Sequence, residues 1–172
     1  MAIKAILPFG DPVLRKKAKP IESITPKIIK LLDDLAETLY NSNDGAGLAA
    51  PQIGILRRVI VMDCGDGLIE LINPEIVYQS GEQVGSEGCL SLPGYYGIVK
   101  RSQHVKVKTL TRSGEELVIE AEGFLARCIQ HEVDHLNGTL YIDLIQENSF
   151  FVEGTNERAD LIEACKLSYT NL

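Results

Sequence analysis

The chain has no tryptophan, and aromatic residues fill only 6% of its 172 positions. It has no apolar stretch near the ~20 residues that a membrane span needs. Its start, Met1-Ala2-Ile3-Lys4-Ala5-Ile6-Leu7-Pro8, lacks the charged segment and long apolar run of a secretory signal. These absences point to a cytoplasmic protein with no membrane partner. No C-x-x-C pair occurs among the four cysteines, Cys64, Cys89, Cys128 and Cys165. In a reducing compartment they are expected to pack or bind metal rather than form disulfides. Basic groups are outnumbered 17 to 24, for a net charge of −7, which argues against DNA or other nucleic acid as a main partner. Repeats, linkers and low-complexity tracts are absent, so residues 1–172 read as one domain. Histidine is scarce as well, with three in the whole chain.

The charge that is present is uneven. Residues 1–30 carry Lys4, Arg15, Lys16, Lys17, Lys19, Lys27 and Lys30 against Asp11 and Glu22, whereas the tail 147–172 carries Glu147, Glu153, Glu157, Asp160 and Glu163 against Arg158 and Lys166. Pro8, Pro12 and Pro20 make residues 1–22 irregular. A helix follows: Thr25 can cap it, Pro26 suits its first turn, and Ile28, Leu31, Leu32, Leu35 and Leu39 fall on one face. Asn41-Ser42-Asn43-Asp44-Gly45 ends it. Arg58–Asp63 and Leu68–Asn73 are strand-like around the turn Cys64-Gly65-Asp66-Gly67, and Glu75–Gln79 reads as a further short strand. His104–Leu110 and Glu116–Ala121 alternate about Arg112-Ser113-Gly114. A second helix is expected from about Gly123 to Leu136, burying Phe124, Leu125, Cys128, Ile129 and Leu136 and stopped by Asn137-Gly138. Glu157–Leu167 can form a helix in the acidic tail, with Leu161, Ile162 and Leu167 packing. The pattern predicts an α+β fold, with antiparallel or mixed sheets around the second helix, an N-terminal helix and a C-terminal helix.

Two of the three histidines lie in that second helix, as His131-Glu132-Val133-Asp134-His135. Residues four apart on a helix differ by about 40° around its axis, so both imidazoles face one way. H-E-x-x-H is the spacing that presents two metal ligands with a glutamate beside them to take a proton from a water. The plainer reading is a pair of core histidines satisfied by hydrogen bonds. A third ligand would decide the class. No histidine lies downstream, and Asp143, Glu147, Glu153 and Glu157 stand in no recognisable frame. Cys128, one turn earlier, and Cys89, far upstream, both offer thiols, and spacing does not choose between them.

Three segments carry a resemblance. Gly45-Ala46-Gly47-Leu48-Ala49-Ala50-Pro51-Gln52 resembles the G-x-G-L-A-A-x-Q motif of peptide deformylases. Glu87-Gly88-Cys89-Leu90-Ser91 resembles their E-G-C-x-S motif, and Gln130-His131-Glu132-Val133-Asp134-His135 their Q-H-E-x-D-H motif. All three occur complete, in the family's order, and the similarity runs from Asp11-Pro12-Val13-Leu14-Arg15 to about Asp143.

The resemblance implies that Cys89, His131 and His135 hold one divalent metal with a water in the fourth position. In this family the metal is usually Fe²⁺, with Zn²⁺, Ni²⁺ or Co²⁺ able to replace it. It implies that this water attacks the N-formyl group of the initiator methionine of new polypeptides, releasing formate, with Glu132 as general base. By the same resemblance the Gln52 amide and the Leu90 N–H hold the oxyanion. Glu87 and Arg101 form a bracing ion pair. Ala46, Gly85, Leu125 and Cys128, together with His131, line a methionine pocket, Gly47 and Gly88 lie close to substrate, and Tyr96 sits where its backbone passes. Such enzymes act in N-terminal methionine processing during protein biosynthesis and can dock transiently on the ribosome through a basic C-terminal helix. The acidic tail here is ill suited to RNA.

Two other readings remain. A zinc peptidase would need a downstream third ligand and tolerate Cys89→Ser. A non-catalytic metal-binding module would tolerate Glu132→Gln. Neither accounts for the joint occurrence of the three motifs.

Overall fold

The computed structural model describes residues 2–42 and 45–170, with side chains as far as residue 166. Asn43 and Asp44, in the expected end of the first helix, and the Leu167 side chain lie outside the described residues.

Alternation sorts the chain into layers. Strand β2 (Val59–Met62) is buried on both faces. Val59 and Val61 pack with Leu31, Leu32, Leu35 and Leu39 of α1 (Pro26–Asn41), while Ile60 and Met62 pack with Ile129, Val133 and Leu136 of α2 (Gly123–Asn137). Successive side chains of a strand point to opposite faces, so four apolar residues in a row place β2 between two helices. Around it, β1 (Gly47–Ala49), β3 (Ile69–Ser80), β6 (His104–Leu110) and β7 (Glu116–Glu122) complete a five-stranded antiparallel sheet in the order β1-β2-β3-β6-β7. A second sheet, β4-β5-β8, joins β4 (Gln83–Cys89), β5 (Leu92–Arg101) and β8 (Ile145–Val152), also antiparallel. Its own core holds Leu92, Val99 and Phe150 with Phe9, Leu14 and Tyr141. The fold is α+β, with antiparallel sheets about the H-E-x-x-H helix and a third helix, α3 (Leu161–Thr170), at its end. Among the described residues, no helix is long and apolar enough to cross a membrane.

Several local expectations change. Thr25 occupies the N-cap of α1 without a side-chain bond; its carbonyl accepts from the N–H of Ile28 and Ile29, and Pro26 presets the first turn. The two strands expected over 68–79 are one. β3 bends at Asn73, whose φ of 51° and register slip mark the irregularity, and continues past Pro74. The Asn73 amide holds both the N–H and the C=O of Ile21, at 2.8 and 2.7 Å, so the bend also ties down the proline-rich start. Residues 147–152 are strand rather than helical tail, because Phe150 and its neighbours complete the second sheet. The tail helix begins at Leu161, and Ile162 stays 69% exposed while Ala164 packs. Phe124 is 58% exposed, because the first turn of α2 projects beyond the core.

Candidate active site

Helix α2 is almost wholly buried from Ala126 to Leu136, polar residues included. Gly138 ends it in the left-handed conformation (φ 77°), where its N–H reaches the carbonyls of Asp134 and His135. His131 and His135 sit one turn apart, ring centroids 5.1 Å apart. Cys89 comes from elsewhere: it ends β4 and pairs with Leu92 across the two-residue turn Leu90-Ser91. That turn brings its Sγ within 3.3 Å of His135 Nε2.

The ligand atoms of Cys89, His131 and His135 all lie within 4.8 Å of one another. Donors about 2.0–2.3 Å from a tetrahedral ion are separated by about 3.5 Å, so this triad suits one metal with little movement. One of the two imidazoles has the second partner expected of a metal ligand. His131 Nδ1 lies 2.9 Å from Glu87 Oε2, which leaves Nε2 to face the triad. Among the described residues, His135 Nδ1 and Glu132 Oε2 are buried without a hydrogen-bond partner. Cys128, the competing thiol, is outside the triad; it is buried against Ile129 and Val133 and shows one edge to the cavity.

Glu87 is the hub behind the triad. It accepts from Arg101 at 2.8 and 3.0 Å and from Arg127 at 2.8 Å, besides its contact with His131. Burial alone would raise its pKa, but hydrogen bonds from His131 and Arg101 hold it down at about 2. Arg101 reaches on to Asp134 at 2.6 Å, which gives that residue of the motif a partner. Glu132 is the converse case. Burial pushes its carboxyl up to about 7. The two imidazoles are driven apart: burial opposes charge on both, yet Cys89 and Glu87 hold His131 above its ordinary value, while burial and the His131 charge hold His135 below it.

Gln52 ends the small-residue segment. Its Oε1 accepts from Ala49 N at 2.8 Å, which turns Nε2 toward Ser91 Oγ at 3.2 Å and Cys89 Sγ at 3.5 Å. Gly47 lies directly over Glu132, where an added Cβ would meet Oε1 at 2.6 Å.

A cavity of about 410 Å³ opens onto these groups, within the usual range for a ligand site. Ala46, Gly47, Gln52, Gly88, Leu90 and Cys128 line it, as do the triad members Cys89 and His131 and the buried Glu132. Three expected residues do not. Tyr96 stacks on Phe151 and donates to Thr155 O at 3.0 Å, facing away because neighbours on a strand alternate; Tyr95 takes the place expected of it. Leu125 turns toward the core of the five-stranded sheet, and the exposed Phe124 lines the cavity instead. Gly85 sits against the Arg127 guanidinium, where a Cβ would lie 3.2 Å from its nearest nitrogen. Sequence reasoning missed Arg127, Tyr95, Phe124 and Glu153 on the wall, and Tyr141, whose ring stacks on His131 at 5.9 Å. Arg127 left no clear signal, because it shares its helix face with Gln130, His131 and Asp134 and reads as part of a polar side.

Two histidines and a glutamate on a buried helix, a thiol delivered from a neighbouring sheet and a cavity over them define a metal-dependent hydrolase of the H-E-x-x-H class. Residues 3–150 match the family model described as polypeptide deformylase. The chain is 61% identical over 143 residues to a peptide deformylase of Thermoanaerobacter pseudethanolicus, covering 83% of this chain and 89% of that one. It is 54% identical over 149 residues to one of Desulfitobacterium hafniense, covering 87% and 99%. The crystal structure of peptide deformylase from Thermotoga maritima superposes with a TM-score of 0.82 at 46% identity, covering 85% and 99%; one from Legionella pneumophila gives 0.81 at 45%, covering 85% and 88%. The chain belongs to the peptide deformylase family and is an enzyme.

Proposed function

We propose that the chain removes the formyl group from the N-terminal formyl-methionine of nascent polypeptides in the cytoplasm, and that the cavity over Glu132 is where it does so. The observation that carries this reading is the convergence of the Cys89, His131 and His135 donor atoms within 4.8 Å beside a buried carboxylate. Cys89, His131 and His135 would hold a divalent cation, Fe²⁺ by family resemblance, which supplies Lewis acidity toward a carbonyl and lowers the pKa of a water. Glu132 takes the proton of the attacking water and returns it to the leaving amine. A carboxyl raised by burial suits both halves of that task. Gln52 Nε2, oriented by Ala49 N, and the Leu90 N–H in the tight turn donate to the oxygen that gains charge as the tetrahedral centre forms. Small residues at 45–50 let the substrate backbone lie close. Glu87, Arg101 and Arg127 position His131 and do no chemistry themselves. The acidic stretch after Glu147 does not favour RNA, so ribosome docking through it is not part of this reading.

The test is formate release from formyl-Met-Ala-Ser by anaerobically purified, metal-loaded enzyme, beside Glu132→Gln of equal metal content. Release by wild type and a loss of about 10²–10⁴-fold in the variant is the expected result. Full activity in the variant would remove Glu132 from the proposed role, and no release by wild type would remove the deformylase reading.

A further inference from the structure

The charges around the cavity are of two kinds. At its inner end Glu87, Arg127, His131 and Glu132 are buried, and Glu87 and Arg127 are paired with each other. At its mouth stands Glu153, which is exposed and, among the described residues, has no cation paired with it. Pro93, Gly94, Tyr95 and, from α2, Phe124 line the same cavity.

Glu153 is held at that lip by its backbone. It follows directly on β8, and its N–H donates to Gly94 O at 2.9 Å. The turn beyond it is closed by Thr155 N to Val152 O (3.2 Å), by Val152 N to Glu157 O (2.9 Å) and by Tyr96 Oη to Thr155 O (3.0 Å). The carboxylate therefore projects from a braced backbone rather than from a free end. It also lies three residues past the span matched by the family model, 3–150.

Glu153 bounds the same cavity as Gln52 and Glu132, so a substrate whose formyl carbon reacts between those two has this carboxylate on the wall along which its following residues leave. We infer that Glu153 sets a charge preference there, favouring formyl-methionyl chains with Lys or Arg at the second or third residue over those with Asp or Glu. The inference rests on the deformylase reading of the same cavity. Attraction or repulsion across about 6 Å of water is worth about threefold in binding each way, so the two charge signs should differ by roughly tenfold.

The experiment compares formyl-Met-Ala-Lys with formyl-Met-Ala-Glu, and formyl-Met-Lys-Ala with formyl-Met-Glu-Ala, all amidated at the C-terminus so that the tested side chain carries the sole charge. Wild type should show a kcat/KM ratio of about ten in favour of Lys at one or both positions, carried by KM and reduced by 0.5 M salt. Glu153→Gln should bring the ratio near one, and Glu153→Lys should reverse it. A ratio near one in wild type, or the same ratio in all three proteins, overturns the inference while leaving deformylation intact. Absence of formate from all four peptides with metal-loaded wild type overturns the deformylase reading and this inference together.

Discussion

Gly47 shows how much one missing methyl can decide. Its neighbour Glu132 lies where a Cβ would sit, 2.6 Å from Oε1, so Gly47→Ala forces the carboxylate aside rather than unfolding β1. We expect Gly47→Ala to lower kcat/KM by about 10²-fold, in line with a general base displaced by roughly an ångström, while the unfolding midpoint moves little. Unchanged kcat/KM would mean that Glu132 shifts without consequence. Gln52→Ala removes a donor aimed at the same reaction volume and should cost about 10²–10³-fold in kcat. At this scale His131, Glu132 and His135 were readable as a motif on adjacent letters, whereas the choice of Cys89 over Cys128 came from the resemblance and not from spacing. The cavity wall was less so. Tyr95 against Tyr96 and Phe124 against Leu125 are choices of strand face and helix phase, and a slip of one residue exchanges wall for core.

Between elements, buried and exposed charges part company. Arg127 ties α2 to β4 and β5 through Glu87, Val99 O and Gly85 O at 2.8, 3.0 and 3.4 Å. Arg127→Met leaves Glu87 buried with one cation fewer and should cost about 3 kcal/mol in urea unfolding. The exposed pair Lys100–Glu82 lies on the same sheet, and Glu82→Gln should cost less than about 0.5 kcal/mol. If both changes cost the same, the hub around Glu87 is not holding the sheet to the helix. Asp34 on α1 adds a pH dependence. The ammonium of Lys30 and the N–H of Ala2 hold its carboxyl below the usual range. A depressed folded pKa contributes stability above the unfolded value and loses it as pH falls through the folded one. Asp34→Asn should therefore cost about 1 kcal/mol at pH 7, and the gap from wild type should begin to narrow below about pH 4 and keep narrowing as acid protonates the folded carboxyl. A gap that stays constant through acid titration would assign the loss to packing. The elements that sequence patterning recovers best, α1, α2 and the hairpin of β6 and β7, are those with strong periodicity. Gln83–Cys89 and Ile145–Val152 alternate weakly and carry Gly, Ser and Glu, so their strand character comes from pairing with β5 rather than from composition.

Taken whole, the molecule places one candidate metal donor on the three-stranded sheet and two on the helix that packs against the five-stranded sheet. An ion held by all three would link the two halves and bind the folded state alone. At 1,000-fold above its Kd it adds about 4 kcal/mol, and for a chain of this length chelation should lower Tm by roughly 10 °C. The same chelator with Cys89→Ala should change Tm far less. Equal shifts in both proteins would place the stabilising ion elsewhere.

β8 is the last described strand in chain order, and it completes the sheet that carries Cys89. Synthesis runs from the first residue to the last. Every donor has therefore been made while β5 still lacks its outer partner, and the sheet closes only after residues 145–152 emerge. A chain of this design matures late in its own translation.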